Sequence, residues 1–354
     1  MLRCSSCGRT YEDRWRCECG HPLDFADRSG PDSNRDEHEI DSSEGLWIFD
    51  SFIPIERKVS LREGFTPLVD APSWDCRFKL EYVFPTGSFK DRGATTVLSR
   101  AVGMDAAHVI EDSSGNAGAA IATYAARAGL DCTIYVPASV KPAKVRAIER
   151  AGADLVPVEG SRERVTEKCI EAVESGAGWY ASHAWNPAFF EGTATMAYEL
   201  AYQSDWDVPD ALVMPLGHGT LFLGAYRGFR ALCGAGWTDK IPRLLGVQST
   251  GYDPIASELH GNSTGENTVA DGIQIREPVR RDQLLDAIEE TDGDCIALGA
   301  EAVENELDSL HGQGFYVEPT SAIAPAALKA YREQGVLSMD DDVIVPLTGS
   351  GLKT

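Results

Sequence analysis

Short apolar runs alternate with helix-like segments along most of this chain, and this alternation constrains the fold more than any other feature. HVIED is predicted to be a strand, and the loop SSGNAG and the helix AAIATYAARAG follow it. Further strand candidates are DCTIYVP, DLVPVE, ALVMP, LLGVQS and DVIVPL. Repeated strand–loop–helix units predict an α/β fold with mostly parallel sheets. Ligands bind such sheets beyond the carboxyl ends of the strands, so functional residues are expected in the loops that follow them.

The length of 354 residues is enough for about two domains with a small appendage. Residues 1–25 form a distinct unit, and the polar, acidic composition of residues 26–44 is typical of a linker. No stretch has the apolar length needed to span a bilayer, and the first ten residues lack the apolar run of a signal peptide. A cytoplasmic protein is therefore expected.

The charge balance bears on the partners of the protein. The formal net charge is −23, from 55 acidic and 32 basic residues, and such a surface repels nucleic acids and anionic membranes. Only nine of the basic residues are lysines. An acid excess with little lysine resembles the composition of halophilic proteins, although an acidic mesophilic protein is equally consistent with it.

Four of the nine cysteines lie within the first 19 residues: Cys4, Cys7, Cys17 and Cys19. Two cysteine pairs joined by a hairpin-sized segment suit a tetrahedral metal with thiolate ligands, for which zinc is the usual ion. Gly8 and Gly20 follow the pairs and permit tight turns. The second pair has one intervening residue where two are usual, so cysteines without a metal remain the alternative. Four thiolates would leave no open coordination position, so such a zinc would be structural.

The segment PTGSFKDRG, residues 85–93, surrounds Lys90 with features that suit a reactive amine. A lysine that forms a Schiff base needs a shielded pocket, where desolvation favours the neutral amine. Gly87 and Gly93 allow close backbone approach, and Phe89 can exclude water. Taken alone, the segment is also compatible with a solvated surface lysine near a helix start.

PTGSFKDRG resembles the motif around the cofactor lysine of threonine synthases. These enzymes belong to the wider family of pyridoxal phosphate (PLP) enzymes that also contains serine and threonine dehydratases, cysteine synthase and the tryptophan synthase β-chain. Upstream, VSLREGFTPL resembles the family as well, and SSGNAG, PLGHGT, EPTSAIAP and LTGSGLK follow downstream in the family's order. An N-terminal zinc knuckle is also found in some threonine synthases.

The resemblance implies a fold and an activity. The fold is the two-domain tryptophan-synthase-β-like fold, or fold type II, with parallel or mixed sheets. Residues 45–95 and 190–354 would form the large PLP-binding domain, and residues 96–189 the small domain. The activity is that of a lyase in threonine biosynthesis, which converts O-phosphohomoserine to threonine and phosphate with PLP on Lys90.

The resemblance also implies roles for individual residues. Lys90 would hold PLP as a Schiff base and then move protons at the substrate's α and β carbons. Asn116 would hydrogen-bond the cofactor's ring oxygen. Ser113 and Ser114 would hold the substrate carboxylate at the start of the following helix, whose N-terminus favours an anion. An ordinary N-cap turn is the alternative interpretation of this loop.

The remaining cofactor contacts implied by the resemblance come from two glycine-containing loops. Thr348 would face the pyridine nitrogen and leave it largely unprotonated, which suits elimination and replacement, and an N-cap threonine is the alternative. The expected partner is a small amino-acid substrate, and a homodimer is left open. The backbone that would cradle the PLP phosphate belongs to Gly217, His218, Gly219, Thr220 and Leu221.

One segment departs from the threonine synthase pattern. Where the family reads Asn-Pro-x-Arg-x-Glu-Gly-x-Lys-Thr, Phe189 replaces the arginine and Ala194 replaces the lysine. An apolar side chain cannot supply the strong arginine–phosphate interaction, so His183, Arg92 or another cation would have to compensate. The alternative function is therefore a serine/threonine dehydratase, or another β-elimination or β-replacement enzyme with a non-phosphorylated amino acid. The presence of Lys90 and Asn116 disfavours a third function, non-catalytic PLP binding.

Overall fold

The computed structural model describes residues 1–27, 30, 41–140 and 142–353, without the side chains of 142–144. The N-terminal unit is an antiparallel sheet of strands β1 (Leu2–Cys4), β2 (Thr10–Tyr11) and β3 (Leu23–Phe25), in the order β2-β1-β3. Most of the predicted linker, residues 28–29 and 31–40, lies outside the described residues. Its last three residues begin a 3-10 helical segment, Ser42–Phe52, that buries Leu46, Trp47 and Phe49.

The rest of the chain alternates strands and helices, as the apolar pattern predicts. In chain order the elements are β4 (Leu68–Ala71), β5 (Cys76–Lys79), α1 (Lys90–Gly103), β6 (His108–Glu111), α2 (Asn116–Ala128), β7 (Asp131–Pro137), α3 (Pro142–Arg150), β8 (Asp154–Val158), α4 (Arg162–Glu174), β9 (Trp179–Tyr180), α5 (Pro187–Gln203), β10 (Ala211–Pro215), α6 (Thr220–Gly234), β11 (Arg243–Ser249), α7 (Pro254–His260), α8 (Arg281–Glu290), β12 (Asp294–Leu298), α9 (Ala300–Gly312), α10 (Pro319–Glu333) and β13 (Val343–Pro346). The α/β class is thereby confirmed.

Two sheets organise this part of the chain. Six strands form a mixed sheet in the order β12-β11-β10-β13-β5-β4, in which only the β4–β5 pair is antiparallel. Four strands form a parallel sheet in the order β8-β7-β6-β9. All strands of the four-stranded sheet come from residues 96–189, although α1 and α5 cross the predicted limits of that range. The domain boundaries themselves stay a prediction.

The six-stranded sheet is apolar on both faces, as parallel strands covered by helices must be. Leu212 and Met214 of β10 enter one buried cluster, whereas Ala211 and Val213 enter another on the opposite face. Helix α5 is buried along almost its whole length, from Pro187 to Ala201. None of the helices in the described part of the chain is long and apolar enough to span a membrane.

The N-terminal sheet packs directly on the body of the protein. Asp24 accepts hydrogen bonds from Arg227 and Arg280, each at 2.8 Å. The Trp15 ring meets the edges of Tyr180 and Trp185, with centroid distances of 5.5 and 5.1 Å. These contacts join the unit to α6, to the residue before α8, to β9 and to the chain between β9 and α5.

A buried ionic network connects the start of α1 to α5 and to the end of β5. The Arg92 guanidinium donates to Glu81 at 2.7 Å and to Glu199 at 2.6 Å, and Lys79 donates to Glu199 at 2.8 Å. All four side chains are fully buried. Burial alone would raise the pKa of Glu199, but Arg92 and Lys79 lower it to about 2. Each charge therefore depends on its partners, because an isolated charge in such an interior is very unfavourable.

Replacement of Arg92 tests this network. Arg92→Ala removes the arginine partner of buried Glu81 and one of the two cationic partners of Glu199, and it should lower the free energy of unfolding by about 3–5 kcal/mol. Urea denaturation measures this loss. The control is Lys240→Ala, which removes a surface ion pair with Asp210 at 2.9 Å and should change stability by about 0–1 kcal/mol. Equal effects of the two substitutions would contradict the central role of Arg92.

Candidate active site

Lys90 is the first residue of α1, and backbone hydrogen bonds hold the loop before it against the segment that follows β13. The Phe89 N–H donates to the Thr348 carbonyl at 3.1 Å, and the Ser350 N–H donates to the Gly87 carbonyl at 2.9 Å. Gly87 has a φ of +72°, in the left-handed region that favours glycine, and an added Cβ would lie 3.3 Å from the Ser350 Cβ. The lysine is thereby placed at the carboxyl edge of the six-stranded sheet.

The surroundings of the Lys90 amine favour its neutral form. Its Nζ donates to the Thr220 hydroxyl at 3.1 Å and lies 4.6 Å from the centre of the Phe89 ring and 5.6 Å from that of Phe189. Burial, assisted by the charge of Arg162 and opposed by two acidic groups, lowers the pKa of Lys90 to about 7. A large fraction of this amine is therefore unprotonated near neutral pH, as a nucleophile requires.

The loop between β10 and α6 presents an open helix N-terminus beside this amine. Gly219 is the N-cap residue of α6 with a φ of +73°, and no side chain caps the helix. A Cβ at Gly219 would lie 2.4 Å from Leu284 Cδ2, so the position requires glycine. The N–H groups of the first turn lack helical partners and attract an anion. A phosphate group fits this site, which the chain builds from Gly217 to Leu221.

Asn116 begins α2, directly after the loop that carries Ser113 and Ser114. Its Nδ2 donates to Glu318 at 2.9 Å, and its Oδ1 accepts from Lys353 Nζ at 2.7 Å. Helix α2 also lacks a side-chain cap, so its first N–H groups can hold a carboxylate. The motifs EPTSAIAP and LTGSGLK contain Glu318 and Lys353, but the sequence does not indicate that these two residues hold Asn116.

Thr348 follows β13, and its hydroxyl is buried. Thr348 Oγ1 lies 3.0 Å from Ser321 Oγ, which also accepts from the Gly349 N–H at 2.8 Å. The residue at this place offers a hydroxyl rather than a charge, as the resemblance implies. Its contact with the pyridine nitrogen stays a prediction.

A cluster of titratable side chains lies beside Lys90, at the carboxyl ends of β6 and β10. His183 Nδ1 is 2.6 Å from Glu111 Oε1, and the His183 ring is 5.3 Å from the His218 ring. Burial, together with the positive charges of Lys90 and Arg162, lowers the pKa of His183 well below its usual range. The pKa of His218 is also lowered, mainly by burial, then by the charge of Arg162 and then by that of Lys90. Both imidazoles are therefore neutral near neutral pH.

The two departures from the family motif lie in different places. The Phe189 ring is next to Lys90 and to His183, whose ring centre is 6.0 Å away, so this residue does line the site. Ala194 is fully buried, and its carbonyl oxygen is 2.4 Å from the Cβ position of Gly228 on α6. The backbone of Ala194 therefore lies in the α5–α6 contact.

The cations that could replace the missing pair have different surroundings. Arg92 is occupied by Glu81 and Glu199, so it is not available to a substrate. Arg162, the first residue of α4, is exposed, and its charge acts on Lys90, His183 and His218. No motif in the sequence points to Arg162, because only the fold brings the charge of this residue near Lys90.

The four N-terminal cysteines converge as their spacing predicts. The four Sγ atoms lie within 4.8 Å of one another, and the closest pairs are Cys7–Cys17 at 3.4 Å and Cys4–Cys19 at 3.6 Å. A tetrahedral zinc with bonds of about 2.3 Å needs sulfurs roughly 3.8 Å apart. Gly8 and Gly20 have φ values of +73° and +89°. The cluster therefore fits a four-thiolate metal.

Comparison with known proteins agrees with this geometry. Residues 59–349 match the family described as pyridoxal-phosphate dependent enzyme. Threonine synthase from Methanocaldococcus jannaschii is 30% identical in an alignment that covers 100% of this chain and 93% of the relative. This chain belongs to the threonine synthase family of PLP-dependent enzymes. Threonine synthase from Methanosarcina acetivorans is 31% identical, with 99% and 92% coverage.

Solved structures show the same fold in more distant members. A threonine deaminase isoform from Solanum lycopersicum matches 80% of this chain and 79% of its own, with a TM-score of 0.68 and 20% identity. Maize serine racemase matches 81% and 88%, with a TM-score of 0.68 and 23% identity. These likenesses concern the fold alone. The family makes this protein a PLP-dependent enzyme, and the role of Lys90 as its cofactor lysine stays a prediction.

The pKa of Lys90 leads to a prediction about cofactor uptake. The amine attacks only when neutral, so the rate at which cofactor-free protein captures PLP should rise as the pH increases through about 7, rather than through the usual value near 10. The visible absorption band and its removal by borohydride measure the capture. Lys90→Ala should abolish the band. A rate that first rises above about pH 9 would contradict the shielded amine.

Proposed function

We propose that the protein is a threonine synthase, which converts O-phosphohomoserine to threonine and phosphate. One observation carries the proposal: the Lys90 amine, with its lowered pKa, lies beside an uncapped helix N-terminus that fits a phosphate group. The alignments with the threonine synthases from Methanocaldococcus jannaschii and Methanosarcina acetivorans cover 100% and 99% of this chain, so they extend over the N-terminal unit. The proposal therefore rests on both the chemistry of the site and the extent of the similarity.

The residues around Lys90 suit the binding of PLP and a substrate. The N–H groups at Gly217–Leu221 would hold the PLP phosphate, and Thr348 and Asn116 would contact its ring. Bound PLP supplies an electron sink that stabilises negative charge at the substrate's α carbon. Lys90 would remove protons from the α and β carbons and return protons to the γ and α carbons. The loop Ser113–Ser114 and the start of α2 would hold the substrate carboxylate.

Arg162 is the cation that we assign to the substrate's leaving phosphate. Phosphate recognition needs a charge-assisted partner, and the family's usual arginine position is Phe189 here. The positive charge of Arg162 helps to lower the pKa values of Lys90, His183 and His218, which supports a position near these residues. Its position at the start of α4, after β8, brings it there from a different element.

A second candidate function is a dehydratase that acts on threonine or serine. The observation in its favour is the fully buried Phe189 ring at 5.6 Å from Lys90 Nζ, because this ring gives an apolar lining where an arginine is usual. An apolar lining suits an uncharged substituent better than a phosphate. The two candidates share the cofactor site and differ only in the substrate.

Purified protein with bound PLP should therefore release phosphate from O-phosphohomoserine and form threonine. Arg162→Gln removes one charge-assisted contact worth about 1.5–3 kcal/mol and should raise KM for O-phosphohomoserine about 10- to 100-fold. Phosphate release and threonine formation measure the effect. The matched control is Arg164→Gln, two residues further along α4, where the arginine pairs with Glu167 at 2.8 Å on the surface.

The outcomes separate the two candidates. The control should leave KM within about twofold, since exposed ion pairs contribute little. Equal KM changes in the two variants would remove Arg162 from the phosphate site. Ammonia release from threonine or serine that is faster than phosphate release from O-phosphohomoserine would favour the dehydratase.

We also propose that Cys4, Cys7, Cys17 and Cys19 bind one structural zinc ion. The support is the convergence of the four Sγ atoms and the small size of the unit, which has only a four-residue apolar cluster of its own. Metal binding would supply the folding energy that such a core cannot.

Elemental analysis of protein purified without chelator should find one zinc ion per chain. Cys4→Ser should lose the metal and lower Tm, since the N-terminal sheet that packs on Arg227 and Arg280 would loosen. Cys233→Ser is the control, because this half-buried cysteine on α6 lies outside the cluster, and its zinc content should be unchanged. Metal-free protein with an unchanged Tm would contradict the zinc proposal.

A further inference from the structure

The pair Glu111–His183 has no place in the functions assigned so far. Glu111 ends β6, is fully buried, and contacts His183 Nδ1 through Oε1 at 2.6 Å. Its second oxygen, Oε2, is buried and has no hydrogen-bond partner among the described residues. Burial, with a smaller effect of Asp112, raises the pKa of Glu111 well above its usual range. A buried carboxyl with this pKa keeps a proton that it can share with the imidazole.

The other nitrogen of His183 is available to a substrate. In the described part of the chain Nε2 has no hydrogen-bond partner, and 7% of the side chain remains exposed. The centre of the Phe189 ring lies 6.0 Å from the centre of the imidazole ring and 5.6 Å from Lys90 Nζ, so both groups are near the same aromatic side chain. The imidazole of the Glu111–His183 pair is therefore the member that lies near the reactive lysine. Such an arrangement, with an acid that orients a histidine, is the one used for proton transfer in other enzymes.

We propose that His183, oriented by Glu111, is a second proton-transfer residue that serves the leaving group and the water molecule that adds at the β carbon. This inference rests on the proposed threonine synthase activity and deepens it. Lys90 already handles the protons on carbon, so the protons on oxygen need another group. His183 is a catalytic residue in this assignment, and Glu111 is a positioning residue that acts through it.

Over one turnover Lys90, His183 and Glu111 each return to their starting protonation state. Lys90 removes the protons of Cα and Cβ, and the electron pair of the Cβ–H bond forms a double bond to Cγ as the Cγ–O bond breaks. The pair of the Cγ–O bond goes to the phosphate oxygen, which takes the Nε2 proton, while the Glu111 proton moves to Nδ1. Cγ then takes a proton from Lys90, and the electron pair left at Cα forms the double bond between Cα and Cβ. The oxygen of water then bonds to Cβ, and the π-electron pair between Cα and Cβ goes to Cα, which takes a proton from Lys90. The proton that water loses goes to Nε2, and the Nδ1 proton returns to Glu111.

The two steps should depend on His183 to different extents. Phosphate leaves readily with little help from a proton, whereas water is a poor nucleophile until a base takes its proton. Without the base, the unsaturated amino acid leaves before water adds, and its hydrolysis yields 2-oxobutyrate and ammonia. The ratio of 2-oxobutyrate to threonine therefore reports on His183 and not on general damage to the fold.

The experiment measures phosphate, threonine and 2-oxobutyrate formed from O-phosphohomoserine by the holoenzyme. In His183→Asn, threonine formation should fall about 100-fold or more, with phosphate release reduced less than about tenfold and 2-oxobutyrate as the main product. KM should stay within about twofold, since His183 acts on the reacting oxygen rather than in ground-state binding. Glu111→Gln keeps a hydrogen bond to Nδ1 but cannot exchange the proton, and it should reduce threonine formation roughly 10- to 100-fold with the same change in products.

The chain contains a matched control in a second acid–histidine pair. His260 Nε2 lies 2.6 Å from Asp294 Oδ1, but the imidazole is 52% exposed and outside the site. His260→Asn should leave all three product rates unchanged. Equal losses of phosphate and threonine in His183→Asn, or no change in the product ratio, would overturn the proposal. Wild-type protein that releases no phosphate would instead contradict the threonine synthase function, so the two failures are distinguishable.

A second measurement does not need turnover. Nitrogen NMR of histidine-labelled protein should show, at about pH 7, a neutral His183 signal that His183→Asn removes. In Glu111→Gln this signal should shift, because the hydrogen bond to Nδ1 changes. A His183 signal typical of an imidazolium at that pH, or one that does not respond to Glu111→Gln, would also overturn the assignment.

Discussion

The buried ion pairs of Arg92 determine where the reactive lysine lies. Arg92 is two residues after Lys90, and its guanidinium joins α1 to Glu81 before the lysine loop and to Glu199 on α5. A charge of this kind is tolerated in the interior only while every partner is in place. The ion pairs therefore fix the first turn of α1, which begins with Lys90, against the core of the protein. It also removes Arg92 from the set of cations that a substrate could meet.

The elements packed around α1 form an environment that favours the neutral form of the basic side chains beside Lys90. Lys90, His183 and His218 are crowded together, and burial lowers the pKa of each of them. Arg162 adds a positive charge that acts in the same direction, while Glu111 stays buried with a raised pKa. Proton transfer near neutral pH requires groups with such shifted values. In the proposed mechanism Lys90 transfers protons to and from carbon atoms, and His183 transfers protons to and from oxygen atoms.

The sequence predicted some parts of the site well and others poorly. The loop before α6 depends on backbone N–H groups and on the left-handed conformation of Gly219, and both are local properties that a motif records. The converging cysteines are similarly encoded by spacing. In contrast, the backbone of Ala194, which stands where the family has a lysine, packs against α6 at Gly228. The motif could not show this, because which side of a buried helix meets a ligand depends on the elements packed around it.

The sequence by itself therefore determined the α/β class, and it predicted Lys90 as the cofactor lysine and the glycine loop that suits a phosphate. Each of these is expressed over a few adjacent residues, through periodicity, a conformational requirement or a side chain's chemistry. Only the tertiary structure decided which ionisable side chains surround Lys90. Arg162, Glu111 and His183 come from separate elements, and their ionisation depends on burial and on distances between residues far apart in the chain. Such quantities exist only after folding, because desolvation and Coulomb interactions are set by the packed environment.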